Sequence, residues 1–171
     1  IEGDTLYILK EPEESASVLQ QTLIQGHLRS TEPEQMLLRA LSLDAAYLGK
    51  PELFDLAYKE VKPLIISGKY DTYENGIQLL EGVGRSQGLL GRVDEALENF
   101  EIIDSLIRLA ESDHQNVPLR EVQAYRSKAA VLLESDPTNK NEIEKNIAKG
   151  IEIAHNKYER HEQQLKDMAN K

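Results

Sequence analysis

Residues 81–88 read EGVGRSQG and, with Gly76 and Gly91 on their flanks, hold five of the chain's ten glycines. A phosphate-binding loop is the chemistry such a run first suggests. The spacing is Gly-x-Gly-x-x-x-Gly, one residue longer than the dinucleotide fingerprint, no apolar strand precedes it, and no Lys-Ser/Thr pair closes it as in a nucleotide loop. The pattern points instead to helices in close contact, because a glycine removes the side chain that holds two backbones apart. Two Glu-x-x-His pairs, Glu111 with His114 and Glu152 with His155, have the three-residue spacing that places both groups on one helix face, as in di-iron bundle sites. Those sites need further inward-facing glutamates from two other helices, and none is indicated. With four histidines in a glutamate-rich chain, the pairs read as solvated faces. His155 and His161, six apart, do not share a face closely, and His27 follows Gly26 near a helix end, where an imidazole can bond terminal carbonyls.

No Gly-x-Ser-x-Gly elbow is present to raise a serine nucleophile. The chain has no cysteine, which removes thiolate nucleophiles, disulfides and cysteine metal ligands together and fits a reducing cytoplasmic setting. The reading is of a non-enzyme with no cofactor and no metal. Thirty acidic residues against twenty basic give a formal charge of -10, which repels a polyanion and argues against direct nucleic-acid binding. No apolar run approaches the roughly 18 residues of a membrane helix. The chain opens on Ile1 rather than Met, so it is expected to be a piece of a longer protein, with residues 1–171 forming a single helical-repeat domain.

The elements that must position any site are helical, since apolar residues recur at steps of three and four in nearly every segment and period-2 alternation is scarce. A partial unit occupies residues 1–29, with a helix from 13 to 29, and helix pairs follow at about 33–67, 71–113 and 118–168. Thr31 and Glu34 can form a capping box for the first pair, Gly49, Lys50 and Pro51 separate its two helices, and Pro63 is expected to bend or end the second of them early. Asp71 followed by Glu74 starts the next pair and Gly91 divides it, and Asn139 with Glu142 caps the long last helix. A signature of large and apolar residues at steps of four and three leads off at Leu19, Phe54, Ala96 and Ile143, with spacings of 35, 42 and 47 residues. Such periods belong to helical-pair solenoids, whose single units cannot bury their own apolar faces and so must stack.

These residues resemble a tetratricopeptide repeat. Leu80, Val83 and Gly84 match the large, apolar and small positions of its first helix, Gly91 its turn, and Ala96 with Phe100 the start of its second helix. Leu38, Leu41, Ser42, Gly49, Phe54 and Tyr58 stand at equivalent places in the first pair, and Tyr125, Ala129, Ile143, Ile147 and Gly150 in the third. The resemblance implies an all-α, α-α superhelix of antiparallel helix pairs. The uneven repeats look like the C-terminal helical-repeat regions of large bacterial ATPase-coupled transcription regulators or nucleotide-cyclase regulators, which implies a regulatory region and a cytoplasmic location.

Carried over residue by residue, the family's concave groove would be lined by Met36, Arg39, Leu43, Ala46 and Tyr47, then by Gln78, Glu81, Arg85, Gly88 and Leu89, then by Gln123, Arg126, Ala130, Leu133 and Glu134. Arg39, Arg85 and Arg126 would face one groove of an acidic protein, where guanidinium groups hold carboxylates or phosphates with paired donors and Tyr47 with Leu43 could anchor an apolar side chain. They could equally neutralise Glu81 and Glu134. The carboxylate clamp of chaperone-binding relatives is not matched, since Ala40, Gly82 and Ser127 stand at its positions. The leading expectation is therefore a non-catalytic scaffold for a protein or peptide in the groove. One alternative is a homo-oligomerisation module using the end helices, whose last member carries a thin stripe of Ile143, Ile147, Ile151, Ala154, Tyr158 and Leu165. The other is a sensor of a small anionic ligand or signalling peptide.

Overall fold

A computed structural model of the chain describes residues 42, 43, 45–70, 72–115 and 117–169, together with Ser17. Residues 42, 43 and 45–47 are helical, and five helices follow: α1 Pro51–Ser67, α2 Tyr73–Leu89, α3 Val93–Ser112, α4 Pro118–Ser135 and α5 Lys140–Ala169. Among the described residues there is no strand, and the protein is all-α. Apart from Ser17, the leading partial unit lies outside the described residues, as does the Thr31–Glu34 capping box.

The turns follow from local chemistry. Gly49 at φ 62° and Gly91 at φ 75° take the left-handed conformation that a side chain disfavours. Each lets the next amide reach back to a helix-end carbonyl, Lys50 N–H to Ala45 at 2.8 Å and Arg92 N–H to Gln87 at 2.8 Å. His114 occupies the same position after α3 at φ 57°, with Gln115 N–H donating to Ala110 at 2.8 Å. The Glu111–His114 pair therefore does not lie on one helix face, because α3 has ended at Ser112.

Two further expectations are corrected. The cap of α2 is Thr72, whose hydroxyl oxygen accepts the Asn75 N–H at 3.1 Å, and not an Asp71–Glu74 pairing; Asp71 itself lies outside the described residues. Of the bend or early end expected at Pro63, the early end does not occur, since α1 runs on to Ser67 and stops at Gly68, φ 61°. Pro63 and Lys59, whose carbonyl loses its helical donor, are both exposed, so water can take the unpaired oxygen.

Packing centres on α2, where 11 of 17 residues are buried. Leu79 and Val83 join Ala45, Leu53, Phe54, Ala57 and Val61 in one apolar core. Ile77 and Leu80 join Phe100, Ile103, Ala124 and Val131 in a second. Helix α3 runs antiparallel to α2, with the Tyr73 hydroxyl donating to Asp113 at one end and Phe100 beside Gly84 nearer the other. Helix α4 runs parallel to α2: Glu74 meets Arg120 and Glu81 meets Ser127, each pair 46 residues apart. Helix α5 returns antiparallel along α4, its principal neighbour among the described helices.

Glycine makes these approaches possible. A Cβ built on Gly84 would lie 3.3 Å from Phe100 Cε2 and 3.4 Å from the Ala96 carbonyl oxygen, and one on Gly88 only 2.5 Å from Val131 Cγ2. At Gly150 the nearest atom would be Tyr125 Cβ at 3.7 Å, an ordinary contact. Gly84→Leu is therefore expected to overpack the α2–α3 interface and cost about 1–3 kcal/mol. Gly150→Ala has the room to gain up to about 1 kcal/mol from helix propensity. Thermal melts of the two variants should move in opposite directions, and an unchanged Tm in Gly84→Leu would refute the packing assignment.

Candidate functional site

The first-helix positions expected to line a groove fall into distinct environments. Tyr47 is 47% exposed, and the Arg85 guanidinium lies over its ring at 5.6 Å from the centroid. The contact joins the helical segment before α1 to α2 and sets a cation against an aromatic face. Leu89, one turn further along α2, is also exposed. Gln78 is half-buried, and Gln123 is half-buried and accepts a hydrogen bond from Arg120 at 3.0 Å, while Arg120 also reaches Glu74 at 2.9 Å. Met36 and Arg39 lie outside the described residues.

Other members turn inward. Leu43 is 3% exposed and Glu81 is 6% exposed. Glu81 accepts a hydrogen bond from the buried Ser127 hydroxyl at 2.5 Å, so its carboxylate joins α2 to α4. Arg126 stands 45 residues after Glu81, as Pro118 at the start of α4 stands 45 after Tyr73 at the start of α2. The equivalent position is thus covered in α2, where α4 lies alongside, and exposed in α4. Arg126 and Leu133 border a different surface, an apolar cleft of about 350 Å³ between α4 and α5. Its walls include Val122, Ala130, Ile147 and Ile151, and Leu133, Ile147 and Ile151 are 55%, 48% and 64% exposed.

Polar groups missed by periodicity hold this frame. Buried Gln87 donates to Glu95 at 3.0 Å and accepts from buried Asn99 at 2.6 Å, tying the end of α2 to the start of α3. Arg92 forms a two-point ion pair with Asp55 and lies 5.1 Å from the Phe54 ring centroid, and its hydrogen bond holds the Asp55 carboxyl below its usual range. No motif announces these pairs, since each forms only when separate helices dock.

A second, polar cavity of about 460 Å³ lies where α3 ends and α4 begins, walled on its far side by α5. Glu111, Glu121 and Glu152 line it with Lys149 and His114. Burial, then the charges of Glu111, Asp104 and Glu152, raise the Glu121 carboxyl, while Lys149 opposes them. Burial with Asp104, Glu121 and Glu111 likewise pushes the Tyr125 phenol up to about 12. Among the described residues no three histidines, cysteines or carboxylates converge to hold a metal ion. Glu152 pairs with Lys149 at 3.3 Å, and His155 with Glu159 at 3.4 Å, so Glu152 and His155 are each engaged elsewhere along α5.

Two measurements follow from this geometry. Ser127→Ala removes a donor from a buried carboxylate and is expected to cost about 1–3 kcal/mol by denaturant unfolding. A loss below the error of that measurement would show that the α2–α4 bond does not contribute. The Glu121 carboxyl is raised in the folded state, so its ionisation disfavours folding: the penalty is absent below the unfolded value near 4.5 and grows as pH rises through the folded value. Glu121→Gln should therefore raise Tm at pH 7 and leave it nearly unchanged at pH 4. A gain of equal size at both would contradict the assignment.

No family model, curated protein or solved structure matches the chain. No described helix is long and apolar enough to cross a membrane.

Proposed function

We propose that this protein is a non-catalytic scaffold for a protein or peptide, built as a tetratricopeptide-like α-α superhelix. The observation that carries the reading is the side-by-side, parallel course of α2 and α4, joined at two points that each link residues 46 apart in sequence. Stacking of successive first helices is what gives a helical-pair solenoid a continuous inner face. On that face the Arg85–Tyr47 pair and exposed Leu89 offer a cation, an aromatic ring and an aliphatic side chain together. This is the mixture that recognises an acidic segment carrying an apolar anchor.

The Arg85 guanidinium beside exposed Tyr47 and Leu89 favours a ligand with negative groups placed next to an apolar one. The cysteine-free composition and the resemblance to the helical-repeat regions of large bacterial regulators support a regulatory or sensor role within a cytoplasmic signalling or transcription-regulating protein.

An array of short peptides combining Asp or Glu with Leu, Phe or Tyr tests the reading. Binding is expected for a subset, and Arg85→Glu should weaken it at least about tenfold, equivalent to roughly 1.4 kcal/mol. The variant's circular dichroism should stay helical, because an exposed cation–π contact contributes only about 0.5–1 kcal/mol. Peptide binding that survives Arg85→Glu unchanged, or an array with no binders, would overturn the groove assignment.

A further inference from the structure

We infer that the apolar cleft between α4 and α5 is completed by α5 of a second copy of this chain, in a parallel two-fold pairing. This goes beyond the groove reading and uses a different surface. In the preceding unit the corresponding face is covered: Glu81 lies under Ser127, and Phe100 and Ile103 are buried in the core that α4 joins. In the last unit it is open, and Ile147 and Ile151 stand exposed on α5 beside Leu133 of α4. An uncovered apolar face of this kind calls for a partner surface.

The sequence of α5 says which partner. Ile147, Ile151, Ala154, Tyr158, His161, Leu165 and Met168 follow one another at steps of four and three, a seam spanning three heptads. Ile151, Tyr158 and Leu165 take position a, and Ile147, Ala154, His161 and Met168 position d. Pro118, the first residue of α4, lines the same cavity as Ile153 and Asn156, and α5 continues for about 13 residues, roughly 20 Å, beyond Asn156. A helix seated only in the α4–α5 cleft would match Ile147, Ile151 and Ala154 and stop short of the pattern's continuation along α5. A parallel second α5 matches the whole seam and also enters the cleft.

Charge favours the same arrangement. In this register Lys157 falls at position g and Glu162 at position e of the following heptad, the two places that meet across a parallel pair. The two-fold axis forms this Lys–Glu pairing twice. An antiparallel pair would instead bring g to g and e to e, losing both attractions. The observation and the register together specify the occupant as an identical chain in one orientation.

Light scattering and sedimentation equilibrium on the 171-residue chain, across a hundredfold range of concentration, test this directly. The expected mass is twice 19.3 kDa at the upper end. Ile151→Glu should give a monomer at every concentration while keeping its helical circular dichroism, since Ile151 is 64% exposed and outside the core. Lys157→Glu and Glu162→Lys should each raise the dimer dissociation constant severalfold, and combining them should restore it. A wild-type monomer throughout, or a dimer indifferent to Ile151→Glu, would overturn the proposal and leave the cleft to some other chain. A dimer abolished by Ile151→Glu but not rescued by the charge swap would refute the parallel register, and with it the inference.

Discussion

Phe100 and Val131 sit where α2 would otherwise carry side chains. Four of the 17 residues of α2 are glycines, which would weaken an isolated helix by about 1 kcal/mol each relative to alanine. A 17-residue helix with that composition is not expected to persist alone in water. Its stability must come from the neighbours that those glycines admit, α3 on one side and α4 on another. Sequence and packing are thus tied at one place: the residues that disfavour the helix locally are the ones that let α3 and α4 close on it in the second apolar core.

Once α2 is held, the remaining frame follows from it. Its partnership with α3 fixes one antiparallel hairpin, and the Glu74–Arg120 and Glu81–Ser127 contacts set α4 alongside it. Burying Glu81 is costly unless its oxygens are satisfied, so this bond selects a particular register as well as adding stability. The face of α2 that carries Arg85 then meets Tyr47, and the chain ends on the exposed apolar side of α4 and α5.

Much of this was legible because it depends on local rules. Gly49 and Gly91 mark helix ends because the left-handed conformation costs them nothing, and Pro51 opens α1 because a first-turn amide has no helical acceptor to lose. The all-α class followed from the three-and-four spacing of residues such as Ile77, Leu80 and Phe100, which do enter one core. Tertiary effects were not legible. Glu81 reads as a surface residue until Ser127, far away in sequence, supplies a buried donor. Leu43 reads as a groove anchor, yet it is buried. His114 occupies a glycine-like turn position, so the spacing rule that placed it on a helix with Glu111 had no signal to the contrary. The Arg85–Tyr47 contact likewise forms only when the segment before α1 docks on α2.

Amide hydrogen exchange under native conditions, resolved residue by residue, tests most directly whether α2 is held by its neighbours. If so, the amides of Leu79, Leu80 and Val83 exchange as slowly as any in the chain and open only with global unfolding, despite the glycines around them. Exchange of α2 ahead of α3 and α4, with those two helices still protected, would contradict the account.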